Sequence, residues 1–404
     1  MSWSERILTT LNLDDAWFEG RIGAGDDRRQ PASDLMISRT CLWPTDGGAT
    51  EGSQTGWQPS LFAPEGCRVD VEKIKTSIQE RHAVSIAPFY RYVIPDAAVL
   101  GAGVVASLGA SKLFAIPNSN SSLDRLNHPG VGKGAILSDG DDRWRVKASN
   151  LITLAKPSLC LAQAGSHIFG HWLVDILPRL MFHLKDCDGD ELILLPADAQ
   201  NLARLFNRYV GLDERRFVFY QPETDIVTSP KIVIYSSVHF SDFFHSNAAA
   251  LYDHIYDRCF SDRTAASPKH ASRLYFSRSR INNSDARELV NRAAVEATFR
   301  RHGFEIVHPQ EHPLHEQVAM VRDATYLAGE YGSALHTCLF APGLGKIVLA
   351  SNGHGAMLEY GISALRRQPT TIIRGEQLML KRRPPILNNF VISVSALERV
   401  LGNL

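Results

Sequence analysis

The sequence predicts an α/β protein with two Rossmann-like lobes facing a cleft and a β-rich N-terminal part. Three observations predict it. Short apolar runs alternate with helix-period segments across residues 159–235. The same alternation returns from Arg273 onward. Between the two blocks, residues 261–272 are polar and small, as a linker is. Strands alternating with helices imply parallel sheets covered on both faces. A chain of 404 residues is long enough for two or three domains. The expected division is 1–150 for the irregular and β-rich region, 151–262 for the first lobe and 270–404 for the second.

Residues 1–68 read as irregular, with loop chemistry in Asp46-Gly47-Gly48-Ala49-Thr50-Glu51-Gly52-Ser53. Short β segments follow at 84–86, 98–105, 112–116, 134–137 and 144–146, separated by Gly, Asn and Asp. In the first lobe, 159–162 reads as a buried strand and 166–185 as a helix, with Ile168, Trp172, Leu173, Ile176, Leu180 and Leu184 at helical spacing. Strands at 191–195, 217–220 and 231–235 and a helix at 197–209 complete it. The second lobe reads as strands at 274–277, 304–307, 325–328 and 346–350, with helices at 285–302, 314–322, 333–340 and 394–401. Ser284 and Gly303 fit the cap and stop of the 285–302 helix.

Composition narrows the function classes. The chain is 44% hydrophobic and 21% charged, which excludes a disordered or fibrous protein. Its 43 basic and 43 acidic residues cancel, so no global field draws it to nucleic acid. Six cysteines without a Cys-x-x-Cys pair fit a reduced, cytoplasmic chain. The N-terminus lacks the apolar core of a leader peptide. The most apolar stretch, 97–116, reads as two short strands around a Gly turn rather than a span.

The densest chemistry lies in the run from Gly165 to Leu180, where a strand gives way to a helix. Ligands of open α/β sheets bind at such carboxyl ends. His167, His171 and Asp175 are spaced four apart and share one face of a helix. Such a set can take a proton from an attacking hydroxyl, through Asp175 or His171. It can also ligate a metal, or be a polar stripe on an ordinary helix. A second segment, Thr325 to His336, ends a strand in Gly329-Glu330-Tyr331-Gly332 and opens a helix at Ser333-Ala334. Its glycines admit a close ligand, and its free N–H groups suit a diphosphate; turns of this kind also serve packing alone. Arg278 and Arg280 follow a strand end, with Arg287 beyond, where arginines clamp phosphate oxygens or simply face solvent.

Other patterns carry less. Gly101-Ala102-Gly103-Val104-Val105-Ala106 lacks the long helix of a dinucleotide site, and Gly130 to Gly134 has the wrong spacing for a P-loop. Asp186 to Glu191 reads as a solvated turn, and the histidines at 308, 312 and 315 as a loop broken by Pro309 and Pro313. The basic stretch 366–383 reads as a solvated face. No Gly-x-Ser-x-Gly or His-Glu-x-x-His is present.

Together these segments resemble glycosyltransferase family 61, in its bacterial branch of capsular polysaccharide biosynthesis proteins. The run His171-Trp172-Leu173-Val174-Asp175-Ile176-Leu177-Pro178-Arg179-Leu180 matches the family's first hallmark. Ser277-Arg278 followed by Arg287 and Asn291 is similar to the second, with Arg292 where the family has Glu. Gly303-Phe304-Glu305, Glu316-Gln317, Gly329 to Leu335 and the tail from Asn389 to Glu398 follow in the family's order, with Tyr331 in place of its His. The resemblance spans about residues 160–400.

The resemblance implies a GT-B-like architecture and an inverting glycosyltransferase. The donor would be a nucleotide sugar, a UDP-sugar, and the acceptor a glycan or lipid-linked glycan. No metal or other cofactor is required. The first lobe holds the acceptor, with Asp175 and His171 as the base; His167, Trp172 and Arg179 in that lobe and Glu330 and Tyr331 in the second position substrate. Arg278, Arg280, Gln317, Gly329, Gly332, Ser333 and Ala334 hold the donor in the second lobe. The chain is expected in the cytoplasm, with peripheral contact at the inner membrane face. Tyr331 and Arg292 keep open a non-catalytic glycan- or nucleotide-binding protein. His167, His171 and Asp175 keep open a metal-dependent hydrolase.

Overall fold

The structure, a computed structural model, describes residues 38–44, 60–62, 89–107, 112–115, 136–138, 144–146, 150–187, 189–240, 243–264, 270–281, 287–351, 356–378 and 388–404. The chain forms two compact units, Met1–Asp46 with Ile86–Ser241 and Gly47–Ser85 with Asp242–Leu404.

The first unit is built on one mixed sheet. Its central parallel strands are Ser158–Cys160, Leu192–Pro196, Phe217–Tyr220 and Asp225–Tyr235, with Asn150–Thr153 also parallel to the last. The central four lie side by side in the order third, second, first, fourth. The strand order therefore reverses between 158–160 and 225–235, and ligands of open α/β sheets bind beyond the carboxyl ends at that point. Phe89–Leu100, Val104–Ser107 and Lys112–Ala115 extend the sheet antiparallel from the 225–235 strand. Ala97, Ala98, Val99 and Leu100 are buried, the mark of a strand covered on both faces.

The described residues of the 1–150 part, expected to stand apart, divide between the sheets of the two units and a separate two-stranded sheet of 136–138 with 144–146. Ser38–Trp43, Phe89–Leu100, Val104–Ser107 and Lys112–Ala115 pair in the first sheet, as does Asn150–Thr153. Ser60–Phe62 adds to the sheet of the second unit. The 97–116 stretch turns at Gly101-Ala102-Gly103, where both glycines have positive φ (51° and 96°). A Cβ on Gly103 would run into the carbonyl of Ala162, so the hairpin abuts the end of the first parallel strand. The expected strands at 98–105 and 112–116 belong here; the one at 84–86 falls outside the described residues. Among the described residues no helix is long and apolar enough to cross a membrane.

The second unit is a parallel sheet of Arg273–Phe276, Glu305–Val307, Tyr326–Glu330, Gly345–Ser351 and Thr370–Gln377. Their order is second, first, third, fourth, fifth. The reversal falls between 273–276 and 326–330. Tyr275, Val295, Phe299, Ile347, Ile373 and Phe390 form the heart of its core.

Three expectations are corrected here. The helix expected over 285–302 begins at Arg292. Before it, Glu288 and Val290 exchange backbone bonds of 2.9 Å with Phe390, and this β-bridge holds 288–290 extended. Ser284, the expected cap, lies outside the described residues. The presumed linker contains a helical turn, Ser261–Thr264, after an unforeseen helix, Ala248–Cys259. The basic stretch is not uniformly solvated. Arg366 is buried and bonds Asp253 Oδ1 at 2.6 Å, and Arg374 is buried with Nη1 on the Ser351 carbonyl at 3.3 Å. Lys381, Arg382 and Arg383 lie outside the described residues.

Candidate functional site

In the first unit, the strand 158–160 runs into Leu161, Ala162 and Gln163, then a turn, then a long helical segment. That segment is α-helical over Phe169–His171, widens to a π-turn over Trp172–Ile176, and is α-helical again over Leu177–Asp186. Pro178 explains the widening. It has no N–H, and a proline ring crowds the carbonyl four residues back. The Leu177 N–H accordingly reaches the Trp172 carbonyl, five residues back. Wide turns of this kind occur often at functional sites. This one carries Asp175.

Asp175 is 2% exposed and surrounded by donors. His171 Nδ1 lies 2.9 Å from Oδ2, and His239 Nε2 lies 2.8 Å from Oδ1. The Gln163 amide donates to Oδ2 at 3.2 Å, and the Ser237 hydroxyl to Oδ1 at 3.5 Å. Burial works to raise the carboxyl's pKa, but the charge of His239 and the hydrogen bonds from His171 and His239 outweigh it. The group is held well below the ordinary carboxylate range and stays ionised. Arg179 supplies a buried cation: its Nε donates to the Asp175 carbonyl at 3.0 Å, and its Nη2 donates to Gln163 Oε1.

His171 is the member of this group that faces outward, its side chain 37% exposed. With Nδ1 on Asp175, the Nδ1–H tautomer leaves the Nε2 lone pair available. Gly165 makes room for the ring: its φ is +80°, and a Cβ there would sit 2.9 Å from His171 Nε2. The arrangement can take a proton at Nε2 and stabilise the resulting imidazolium through a fixed carboxylate.

Three residues expected beside this group take other roles. His167 precedes the helix, and its Nδ1 pairs with Asp198 at 3.2 Å. The three-residue His167, His171, Asp175 face therefore does not form, because the helix that would align them starts only at Phe169. Among the described residues no group of three or more His, Cys, Asp or Glu is arranged to hold a metal ion. Trp172 is 1% exposed; its indole donates to the Ser166 carbonyl at 2.7 Å and its ring stacks on Phe206 at 5.0 Å. It is a core residue with no face left for substrate. Arg179, 1% exposed, likewise acts on Asp175 rather than at the surface.

Gln163, Ser237 and His239 were not among the expected residues. Gln163 follows the 158–160 strand, and Ser237 and His239 follow the adjacent 225–235 strand. All three stand past the carboxyl ends where the strand order reverses.

In the second unit, the reversal point brings together Ser277-Arg278, past the 273–276 strand, and Tyr331-Gly332-Ser333, past the 326–330 strand. A Cβ on Gly332 would lie 2.5 Å from Arg278 Nη1 and 3.7 Å from Arg287 Nη2, so both guanidinium groups converge on this glycine. Arg287 also donates to the Tyr331 carbonyl and lies 4.9 Å from the centre of its ring. Burial and the Arg278 charge push the Arg287 guanidinium below its ordinary range. An anion against both arginines offsets this repulsion. Ser333–Phe340 starts here as a 3-10 helix, whose first N–H groups, at Ser333 and Ala334, have no intrahelical acceptor. The place suits a phosphate.

Other expected site residues of this unit are engaged elsewhere. Arg280 forms an exposed ion pair with Glu311 at 2.7 Å. Glu330 is buried against Arg292, with Nε on Oε1 at 2.9 Å and Nη2 on Oε2 at 3.3 Å. Arg292 thus neutralises Glu330. Gln317 Nε2 donates to the His312 carbonyl at 2.9 Å. Gly329 serves packing: a Cβ there would lie 2.9 Å from Leu335 and 3.1 Å from the Phe276 carbonyl. Of the Asp186 to Glu191 turn, Asp190 pairs with Lys156 at the surface, and Asp188 lies outside the described residues.

Residues 169–348 match the family profile described as Glycosyltransferase 61. This segment belongs to the glycosyltransferase 61 family. No curated protein matches the chain. The glycosyltransferase 61 segment takes in His171, Asp175 and His239 of the first unit and Arg278, Arg287 and Gly332 of the second. Gln163 lies before it.

Proposed function

We propose that this glycosyltransferase family member is an inverting, metal-independent enzyme. It moves a sugar from a nucleotide sugar, of the UDP class, to a hydroxyl of a glycan or lipid-linked glycan. The setting is bacterial surface polysaccharide synthesis at the cytoplasmic side of the membrane, and the architecture is GT-B-like. The observation that carries the reading is the half-exposed His171 held on the buried, ionised Asp175. It refines the expected base: Asp175 is too buried to meet an acceptor, so the proton goes to His171 and Asp175 orients the ring.

The reaction is then a single displacement. The acceptor hydroxyl loses its proton to His171 Nε2 as its oxygen attacks the anomeric carbon, and the bond to the nucleoside diphosphate breaks on the opposite face. Inversion follows. In the second unit, Arg278, Arg287 and the N–H groups of Ser333 and Ala334 offset the charge that grows on the leaving diphosphate. Preorganised donors of this kind stabilise developing charge without reorganisation.

The test is a transfer assay with a panel of UDP-, GDP-, CMP- and dTDP-sugars in EDTA, with the product's anomeric configuration read by NMR. Transfer with inversion in EDTA is expected. Nucleotide binding without turnover would instead favour the non-catalytic reading, and activity that returns only with added metal would overturn metal independence.

A further inference from the structure

We infer that Gln163 is a positioning residue for the transfer reaction, acting on His171 through Asp175; this rests on reading His171 as the base. Gln163 is 3% exposed and stands at the end of the first parallel strand. Its orientation is fixed by elimination. Arg179 can only donate, so the Gln163 atom facing Nη2 is the acceptor Oε1. The amide Nε2 then points at Asp175 Oδ2, 3.2 Å away. That is the oxygen on which His171 Nδ1 rests at 2.9 Å. The amide and the imidazole therefore share one carboxylate oxygen, while Oδ1 is taken by His239 and Ser237.

Two consequences follow. The carboxylate is pinned at both oxygens, so the ring it orients is pinned as well. The amide is also a neutral link between Arg179 and Asp175, which keeps a single negative group beside His171. The other ionisable groups facing this cluster are His239, past the 225–235 strand, and the Cys160 thiol, which burial pushes up to about 11 and so leaves uncharged. A second carboxylate in place of the amide would favour a protonated imidazole beside it.

The experiment compares kcat, donor KM and the pH dependence of kcat/KM for the full chain and three variants. Gln163→Glu keeps the shape and adds a charge. It is expected to move the acid limb of kcat/KM up by about one pH unit with donor KM unchanged. Gln163→Leu removes both hydrogen bonds and is expected to lower kcat by about tenfold to a hundredfold, again without a change in donor KM. A merely structural glutamine would leave the acid limb where it is. Wild-type kcat and an unmoved acid limb in both variants would overturn the inference, and Gln163→Glu alone decides if Gln163→Leu does not fold. His171→Ala separates the two claims. If it keeps wild-type turnover, the base assignment falls and the role of Gln163 falls with it. If it is inactive while the Gln163 variants behave as wild type, only Gln163 is wrong.

Discussion

His239 Nε2 lies 2.8 Å from Asp175 Oδ1, although the two residues are 64 positions apart. The contact closes a carboxylate whose other oxygen already receives His171. One buried anion thus sits between two imidazoles, one buried and one half-exposed. The buried one completes the cage, and only the exposed one can exchange a proton with a substrate.

Asp175→Asn tests that division of labour. An asparagine offers one acceptor and one donor, so it cannot receive N–H bonds from both rings. Where its amide nitrogen faces His171, the ring proton moves to Nε2 and the outward lone pair is lost. Turnover should fall by about 10²–10⁴-fold, the usual worth of a positioned base, in both Asp175→Asn and His171→Ala. Nucleotide affinity, read by calorimetry, should be unchanged in both. Wild-type turnover in either variant would exclude this base.

Arg278 and Arg287 should act on binding instead. Hydrogen bonds to charged groups contribute about 1.5–3 kcal/mol each, so either alanine variant should weaken nucleoside diphosphate binding by roughly tenfold to a hundredfold. Gly332→Ala is a sharper probe of the same place. The backbone at Gly332 is extended, with φ of 160°, so alanine adds no backbone strain. Its Cβ would displace the Arg278 guanidinium, 2.5 Å away. Affinity should drop while the melting temperature stays within about 2 °C of wild type. Equal affinity in all three variants would move the diphosphate away from this strand end.

The features of the site that were legible in the sequence are those joined by short spacing. His171 and Asp175 lie four residues apart on one helical segment, and Gly332 and Ser333 follow their strand directly. The alternation of strand and helix likewise made the parallel strands of both sheets readable. Contacts made across the fold were not. Nothing local says that His239 returns to Asp175, or that residues 288–290 pair with Phe390 and so delay the helix to Arg292. His167 and Trp172 lie in the same run as His171 and Asp175, but one precedes the helix and the other faces the core. One signal was available: Ser237 and His239 follow the expected strand at 231–235, and carboxyl ends are where site residues collect.

In the second unit, Lys346 and Glu359 form a fully buried ion pair at 2.8 Å, and the lysine also donates to the Glu359 carbonyl at 3.1 Å. Burial opposes the lysine's charge, but Cys338 and Glu359 outweigh it and raise its pKa. Lys346→Met leaves a carboxylate without its cation and should cost about 3–5 kcal/mol in urea unfolding. Lys346→Met with Glu359→Gln removes both charges and should recover part of that loss. A single variant as stable as wild type would show that the pair is not buried in solution.

His183 gives the chain a pH-dependent stability separate from the site. Its ring is 1% exposed, with Nδ1 3.1 Å from the Tyr235 hydroxyl and Nε2 3.5 Å from Glu191. Burial lowers its pKa below the ordinary histidine value; Glu191 opposes this, and the charges of Arg216 and Arg91 add to it. The unfolded chain therefore binds more protons than the folded one between the folded value and about 6.5. Stability rises with pH across that window and is lost as pH falls through it. Unfolding free energy should increase from pH 5 to pH 7, and His183→Gln, neutral throughout, should show a smaller increase. Asp175 cannot imitate this effect, because its lowered pKa places its own loss of stability below about pH 4. Parallel slopes in wild type and variant would mean that His183 titrates freely in the folded protein.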